Sequence, residues 1–248
     1  MAETQKEYFI GVINATNRPE PKETQLNDKM PATIRYASRT LDFKRGDEEE
    51  FAASMPRYEA KAAELAAMKP DLILPGGAPP FMLLGFNGER EIIRGWENKY
   101  GVPMFTSGQN HVRALKTLGV KTFVGISYFP AKLNAIFRRY FTEAGFRVLA
   151  MEGIPVQFAD VPKFPPAQIA DFIKNEYTKH REAEGVYMLG SAWKTLDIIG
   201  ELERTLNVPV VHPGPARCWE IQLRLGLRQS IPGYGRLLAE MPEAAHGG

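Results

Sequence analysis

Short stretches of small and polar residues recur along the chain, each between an apolar run and a segment with helical spacing. The six stretches are Asn14-Ala15-Thr16-Asn17, Pro75-Gly76-Gly77-Ala78, Thr106-Ser107-Gly108-Gln109, Ser127-Tyr128, Gly190-Ser191-Ala192 and His212-Pro213-Gly214. Glycine lets the backbone approach a ligand closely, and free N–H groups at such turns can hold a carboxylate. Apart from Lys194, at the edge of one stretch, no lysine or arginine stands at these positions. We therefore predict a site where a small anion is held mainly by neutral donors and helix dipoles.

Three side chains in these stretches are candidates for catalysis. His212 titrates near neutrality and is the natural proton carrier, although a histidine before a proline is often a turn residue. The phenol of Tyr128 could donate a hydrogen bond to a bound anion, or it could be a core tyrosine with its tip at the surface. Ser191 is a poor acid or base without assistance, so its hydroxyl is expected to bind substrate or to cap the next helix.

The remaining candidates are expected to bind substrate rather than to react with it. They are Asn14, Asn17, Gly76, Gly77, Ala78, Ser107, Ser127 and Gly190. Ser107 is taken as the counterpart of His212 in the internal repeat described below. Arg217 and Glu220 are expected to be surface charges, and Cys218 a small buried residue. The sequence has no P-loop, no dinucleotide-binding glycine pattern and no metal-ligand spacing, so we expect no cofactor and no metal.

Apolar runs that alternate with amphipathic segments would position these residues. The predicted strands are Tyr8–Ile13, Ala32–Tyr36, Leu72–Leu74, Val102–Phe105, Thr122–Ile126, Phe146–Ala150, Gly185–Leu189 and Val208–Val211. The predicted helices are Glu48–Met68, Glu89–Lys99, His111–Leu118, Ala131–Ala144, Ala167–His180, Thr195–Leu206 and Ala216–Leu225. Continuous apolar strands between helices indicate parallel sheets covered on both faces, which is an α/β fold.

The two halves of the chain look like copies of one plan. The matching pairs are YFIGVINATN (8–17) with TFVGISYFP (122–130), DLILPGGAPP (71–80) with GVYMLGSAWK (185–194), and YGVPMFTSGQ (100–109) with LNVPVVHPGP (206–215). Three matches in register predict two pseudo-symmetric lobes, each a parallel four-stranded sheet flanked by helices. We place the lobes at residues 1–117 and 118–225, followed by a tail, 226–248, that could return to the first lobe. Ligands of open parallel sheets bind beyond the carboxyl ends of the strands, where all six polar stretches fall.

The composition sets the broad class of protein. A chain of 248 residues with a net charge of +2 and 44% hydrophobic residues is ordinary for a globular protein and gives no argument for nucleic acid. One cysteine, Cys218, rules out an intrachain disulfide. The N-terminus has no signal-peptide pattern, and no apolar run approaches the roughly 18 residues of a membrane span. We expect a cytoplasmic protein without a membrane partner, and the sequence leaves a homo-oligomer open.

With these stretches and repeats in view, the chain resembles the aspartate/glutamate racemase superfamily, and within it the maleate isomerase and arylmalonate decarboxylase group. The similarity runs from Tyr8 to about Leu238 and is strongest at 102–124, at 185–211, which includes TLDIIGELERTLNVPVV, and at PGYGRLL (232–238). The resemblance implies a cofactor-free enzyme whose two lobes close on a small carboxylate or carbonyl substrate. It matches Tyr128 to a tyrosine that binds the carboxylate or enediolate, and Asn14 or Asn17 to an asparagine that contacts the carboxylate.

Members of this group carry a reactive cysteine at one or both of two facing strand ends, which fall here at Gly77-Ala78-Pro79 and at about Gly190-Ser191. Neither position has a cysteine, so the two-thiol racemase mechanism is excluded there. We expect a lyase of decarboxylase type, in which an inter-lobe anion cage holds an enediolate-like intermediate and His212 supplies a proton. The alternatives are a maleate-type cis–trans isomerase or racemase, a hydrolase or hydratase in which His212 activates water, and a non-catalytic small-acid binding protein.

Overall fold

The first half of the chain forms a three-stranded parallel sheet. The computed structural model describes residues 6–16, 26, 28–30, 34–154 and 156–245. Strands β1 (Tyr8–Asn14), β2 (Ile34–Thr40) and β3 (Leu72–Pro75) lie in the order β2-β1-β3. All four residues of β3 are buried, as expected for a strand of a parallel sheet that is covered on both faces.

Five helices of the described chain accompany this sheet. They are α1 (Glu48–Ala52), α2 (Met55–Ala66), α3 (Ala78–Met82), α4 (Gly85–Tyr100) and α5 (Ser107–Thr117). The prediction of a single helix at Glu48–Met68 is therefore wrong, because the structure has two helices there, which are separated at Ala53 and Ser54. The cause lies in Pro56, since a proline inside a helix removes one hydrogen bond and clashes with the preceding turn.

The second half repeats the plan with four parallel strands. Strands β4 (Thr122–Ser127), β5 (Arg147–Gly153), β6 (Gly185–Leu189) and β7 (Val210–Val211) lie in the order β5-β4-β6-β7. The helices are α6 (Ala131–Glu143), α7 (Pro166–Lys179), α8 (Ile199–Leu206), α9 (Pro213–Arg224) and α10 (Arg236–Glu240). Short 3-10 helices lie at Phe158–Lys163 and Leu196–Ile198. None of the described helices is long and apolar enough to span a bilayer.

The predicted α/β architecture is confirmed, but the fourth strand of the first sheet is reduced to one parallel bridge between Met104 and Ile73. Its counterpart β7 has only two residues. Both strands follow a proline, Pro103 and Pro209, whose carbonyl accepts a hydrogen bond from the neighbouring strand. Because proline has no N–H to donate in return, each ladder is short. The shared Val-Pro pair therefore explains both truncated strands.

Helices α5 and α9, one from each half, pack against each other. Glu220 on α9 is buried, and its carboxylate accepts hydrogen bonds from Asn110 (Nδ2, 2.9 Å), from Arg113 (Nε, 3.1 Å) and from Arg224 (Nε, 2.9 Å). Asn110 also donates to the carbonyl of Ala216 at 2.9 Å. The expectation that Glu220 is a surface charge is therefore wrong, since its carboxylate joins the two halves.

Residues 226–245 contact both halves. Helix α10 packs on α9, and the Arg236 N–H donates to the carboxylate of Glu203 at 2.8 Å. Further along, the N–H of Ala245 donates to Oγ1 of Thr117, at the end of α5, at 2.9 Å. The tail therefore runs from the second half back to the end of the first.

The substitution Glu220→Ala tests the link between α5 and α9. It leaves Arg113 and Asn110 without their buried acceptor, so we expect a loss of about 3 kcal/mol in the free energy of unfolding. Urea denaturation measures this loss. Glu201→Ala, which breaks an exposed pair with Lys174, is the control and should leave the free energy of unfolding unchanged within the error of the measurement. Equal effects of the two substitutions would contradict a structural role for the buried carboxylate.

Candidate functional site

The carboxyl ends of strands from both sheets open onto one cleft. Asn14 and the loop from Pro75 to Ala78 line it from the first sheet, and Tyr128, Leu189 and Ser191 line it from the second. The cleft has a volume of about 120 Å³, which is of the same order as a cavity of about 150 Å³ that binds benzene. A small organic acid therefore fits between the two halves.

Seven of the predicted site residues line this cleft. They are Asn14, Gly76, Gly77, Ala78, Ser107, Tyr128 and Ser191. Asn17 lies outside the described residues. Ser127, Gly190 and His212 lie nearby but do not belong to the lining, and each has a structural role in the contacts described below.

The loop after β3 brings backbone close to the cleft. Gly77 has φ +92°, and a Cβ there would meet the Tyr58 hydroxyl at 2.8 Å, so glycine is required for both reasons. The same hydroxyl donates to the Gly76 carbonyl at 2.6 Å and fixes the loop. Gly77 and Ala78 begin α3, where N–H groups have no acceptor within the helix. The loop therefore presents backbone donors at one wall of the cleft.

Ser127 and Gly190 have packing roles. The Ser127 hydroxyl is fully buried, donates to Oδ1 of Asn134 at 2.6 Å and accepts from the Phe129 N–H at 3.0 Å. It thus shapes the turn that carries Tyr128. The ring of Trp193 occupies the place where a Gly190 side chain would be, only 2.2 Å from a Cβ built there. The predicted binding roles of Ser127 and Gly190 stay predictions, and the contacts observed are structural.

His212 caps a helix. Its Nδ1 accepts a hydrogen bond from the Gly214 N–H at 3.1 Å at the start of α9, and its Nε2 lies 3.1 Å from Oγ1 of Thr195. Burial, together with the positive charge of Arg217, lowers the pKa of His212 to about 3. Both ring nitrogens are engaged, so the contacts give this histidine a capping role. Its predicted catalytic role stays a prediction.

The prediction that Ser107 is the counterpart of His212 in the repeat is wrong by one residue. Aligning Val102-Pro103 with Val208-Pro209 places Thr106, not Ser107, opposite His212. Thr106 is likewise an N-cap, because its hydroxyl accepts from the Gln109 N–H at 3.3 Å. The two halves therefore cap equivalent helices with different side chains.

Two functional candidates were missed by the sequence analysis, His111 and Arg217. Both line the cleft, each one turn along its helix from another lining residue, Ser107 in α5 and Pro213 in α9. In the corrected register of the repeat, His111 and Arg217 occupy equivalent positions. Extending the repeat two residues would have paired them. The expectation that Arg217 is a surface charge is therefore wrong, because its side chain lines the cleft.

His111 is 1% exposed, and its Nδ1 lies 2.9 Å from the hydroxyl of Tyr187. Its Nε2 has no hydrogen-bond partner among the described residues. Burial, with a smaller contribution from His212, lowers the pKa of His111 to about 3. The imidazole is therefore uncharged at neutral pH.

Apolar side chains complete the lining. They are Val12, Ile13, Phe43, Phe51, Leu74, Phe105, Phe129, Phe158 and Leu189. Cys218 is fully buried and is not part of the lining. Among the described residues, no group of three or more histidine, cysteine, aspartate or glutamate side chains is placed to hold a metal ion. The cleft thus combines one guanidinium, several neutral donors and a largely apolar wall.

Known proteins with related sequences point to one family. A family model described as arylmalonate decarboxylase matches residues 20–238. Arylmalonate decarboxylase from Bordetella bronchiseptica is 27% identical over 146 residues, 56% of this chain and 59% of that protein. The match therefore spans about three fifths of the relative's length.

Solved structures share the fold over nearly the whole chain. The maleate isomerase Iso from Pseudomonas putida S16 superposes with a TM-score of 0.87 at 19% identity, covering 95% of this chain and 100% of that one. A Nocardia farcinica maleate cis–trans isomerase variant with a covalently bound succinylcysteine intermediate gives 0.86 at 19% identity, with 95% and 99% covered. A structure of arylmalonate decarboxylase gives 0.81 at 20% identity, with 94% and 99% covered.

Replacing His212 tests its capping role through the pH dependence of stability. The folded-state pKa is about 3, below the ordinary 6.5, so the unfolded state binds the proton first and stability falls as pH drops below 6.5. His212→Asn keeps an N-cap acceptor but removes this titration. Between pH 6 and 4 its unfolding free energy should therefore gain on the wild type by about 1.4 kcal/mol per pH unit.

Urea denaturation at several pH values measures this difference. His212→Ala, which also loses the cap, should be less stable than His212→Asn at pH 7 by about 1 kcal/mol. A constant difference between wild type and His212→Asn across this pH range would show that the histidine is not buried in its neutral form.

Proposed function

The chain belongs to the arylmalonate decarboxylase family, and we propose that it is a cofactor-independent lyase that removes a carboxyl group from a small acid bound between its two halves. The observation that carries the proposal is the composition of the cleft. Arg217, Tyr128 and the backbone donors of Gly77 and Ala78 share a cleft whose other walls are largely apolar. This arrangement suits an anion that must lose carbon dioxide.

Decarboxylation needs a place for the electron pair that the departing carboxyl group leaves behind. When the C–C bond breaks, that pair moves into the remaining carboxyl group and forms an enediolate. Donors already directed at these oxygens stabilise the charge more in the transition state than in the bound acid. Arg217 supplies a positive charge and Tyr128 a phenol. The apolar wall keeps water out, which strengthens these interactions.

Thiol-based isomerisation has less support in this chain. The Nocardia farcinica structure holds a succinylcysteine intermediate, whereas the one cysteine here, Cys218, is fully buried. A decarboxylase needs no nucleophile. It needs an electron sink and a proton at the α-carbon, and in the proposed reaction this proton comes from solvent after carbon dioxide has left. The same anion cage without turnover would make a small-acid binding protein, and the first experiment distinguishes the two.

The direct test is incubation of the purified protein with phenylmalonate and with maleate, followed by NMR. We expect phenylmalonate to give phenylacetate and carbon dioxide, with one deuterium at the α-carbon in D₂O. Arg217→Met should lower kcat/KM on the order of 10- to 100-fold, because a charge-assisted hydrogen bond contributes about 1.5–3 kcal/mol. Arg181→Met, at an exposed position, is the matched control and should leave the rate unchanged.

Three other outcomes are informative. Conversion of maleate to fumarate without loss of carbon dioxide would identify an isomerase. Saturable binding of phenylmalonate without turnover would identify a binding protein. If Arg217→Met and Arg181→Met behave alike, the guanidinium does not hold the substrate.

Alkylation of the native protein tests the absence of thiol chemistry. Cys218 is fully buried and only the exposed thiolate reacts readily, so iodoacetamide should leave the turnover of phenylmalonate within about twofold of the untreated enzyme. Mass spectrometry of the intact chain reports whether the thiol reacts. Loss of activity in step with alkylation would mean that Cys218 lies close to the reacting atoms.

A further inference from the structure

We propose that His111 donates a hydrogen bond from Nε2, as an uncharged imidazole, to the carboxyl group that the substrate retains, and that Tyr187 positions it for this role. This inference rests on the proposed function, because it requires a small acid in the cleft. His111 lies in the second turn of α5, on the same face as Ser107, and both line the cleft.

The contact with Tyr187 decides which ring nitrogen carries the hydrogen. Tyr187 is fully buried in β6, and its hydroxyl lies 2.9 Å from Nδ1 of His111. A buried hydroxyl needs an acceptor for its proton, and Nδ1 is the partner that the described residues provide. If Tyr187 donates to Nδ1, the hydrogen of the neutral ring must be on Nε2. The phenol thus selects one tautomer.

Nε2 is the nitrogen that remains for a ligand. The two nitrogens of an imidazole point in divergent directions, so a ring whose Nδ1 faces β6 turns Nε2 away from that strand. Nε2 is buried and has no partner among the described residues. Leaving such a donor unpaired costs about 1–3 kcal/mol. An acceptor on the substrate removes this cost when it binds.

The neutral state of His111 fits this role. Burial lowers the pKa of His111 to about 3, so the ring is an uncharged donor across the neutral pH range. A neutral imidazole can still act as an electrophile toward an oxygen that gains charge. Its hydrogen bond strengthens as the retained carboxyl group becomes an enediolate, which lowers the barrier rather than only improving binding.

Arg217 and His111 would then act from equivalent positions of the repeat. The guanidinium supplies charge from the second half, and the imidazole supplies a neutral donor from the first. A dianionic acid has two carboxyl groups, of which one is lost. A charged partner on the departing group would hold back its loss as neutral carbon dioxide, so we assign both donors to the group that is retained.

Three variants separate donation by His111 from simple packing. Gln places an amide N–H₂ near the position of Nε2, whereas Leu offers similar volume without a donor. With phenylmalonate we expect His111→Leu to lower kcat on the order of 100-fold, and His111→Gln to retain at least a tenth of the wild-type kcat. Tyr187→Phe should fall between them, with kcat lowered more than KM is changed. Equal losses for Leu and Gln would overturn the proposed donation.

Nitrogen-15 NMR of the wild-type protein tests the inference without turnover. At pH 7, His111 should show a protonated Nε2 and an unprotonated Nδ1, and saturating phenylmalonate should shift the Nε2–H resonance. Tyr187→Phe should give a mixture of tautomers. A hydrogen on Nδ1, a charged ring at pH 7, or a resonance unaffected by phenylmalonate would each overturn the inference. If the acid shifts this resonance but is not decarboxylated, the inference stands and the proposed lyase activity fails.

Discussion

The buried carboxylate of Glu220 is the interaction on which the cleft depends. A carboxylate taken out of water must be matched by donors, and here the donors come from both halves, with Asn110 and Arg113 on α5 and Arg224 on α9. This requirement fixes how α5 and α9 pack. Because His111 and Arg217 lie on these same two helices, the network also sets their separation. A packing that moved one helix by a turn would leave the carboxylate without partners, and would carry one of the two cleft side chains out of reach of a shared ligand.

Repetition of one plan gives the two walls of the cleft different chemistry. Both halves begin a short strand after a Val-Pro pair, cap the next helix with a side chain, and place a polar residue one turn later on the cleft. The backbone solution is the same, while the side chains differ. Thr106 and His212 perform the same capping task, and the positions one turn further hold a neutral donor in one half and a cation in the other. Two halves with the same backbone plan can therefore form one site with unlike side chains on its two walls.

The strands and their polar ends could be predicted from the sequence, because buried parallel strands are continuous apolar runs bounded by small residues. β6 has the predicted bounds, Gly185–Leu189. The roles of individual side chains could not be predicted in the same way. His212 looks like a free imidazole in sequence, yet one ring nitrogen caps its own helix at Gly214 and the other contacts Thr195, which only tertiary structure brings close. Arg217 stands between two buried residues, Ala216 and Cys218, so hydrophobic periodicity does not reveal that its own side chain reaches a cleft.

The described lining of the cleft contains no cysteine, which is consistent with the proposed decarboxylation because that reaction needs no nucleophilic thiol. Isomerisation through a thiol adduct needs a nucleophile that forms and breaks a bond to carbon. Decarboxylation instead requires that the negative charge left on the retained carboxyl group be stabilised. Hydrogen-bond donors that are fixed before the reaction begins can do this. Such donors cost stability in the free protein, because a buried N–H without an acceptor is unfavourable. The unpartnered Nε2 of His111, held by Tyr187 at the other end of its ring, is a polar group of this kind. In the proposed reaction, stability given up in the empty cleft becomes binding energy for the charge that develops when the carbon–carbon bond breaks.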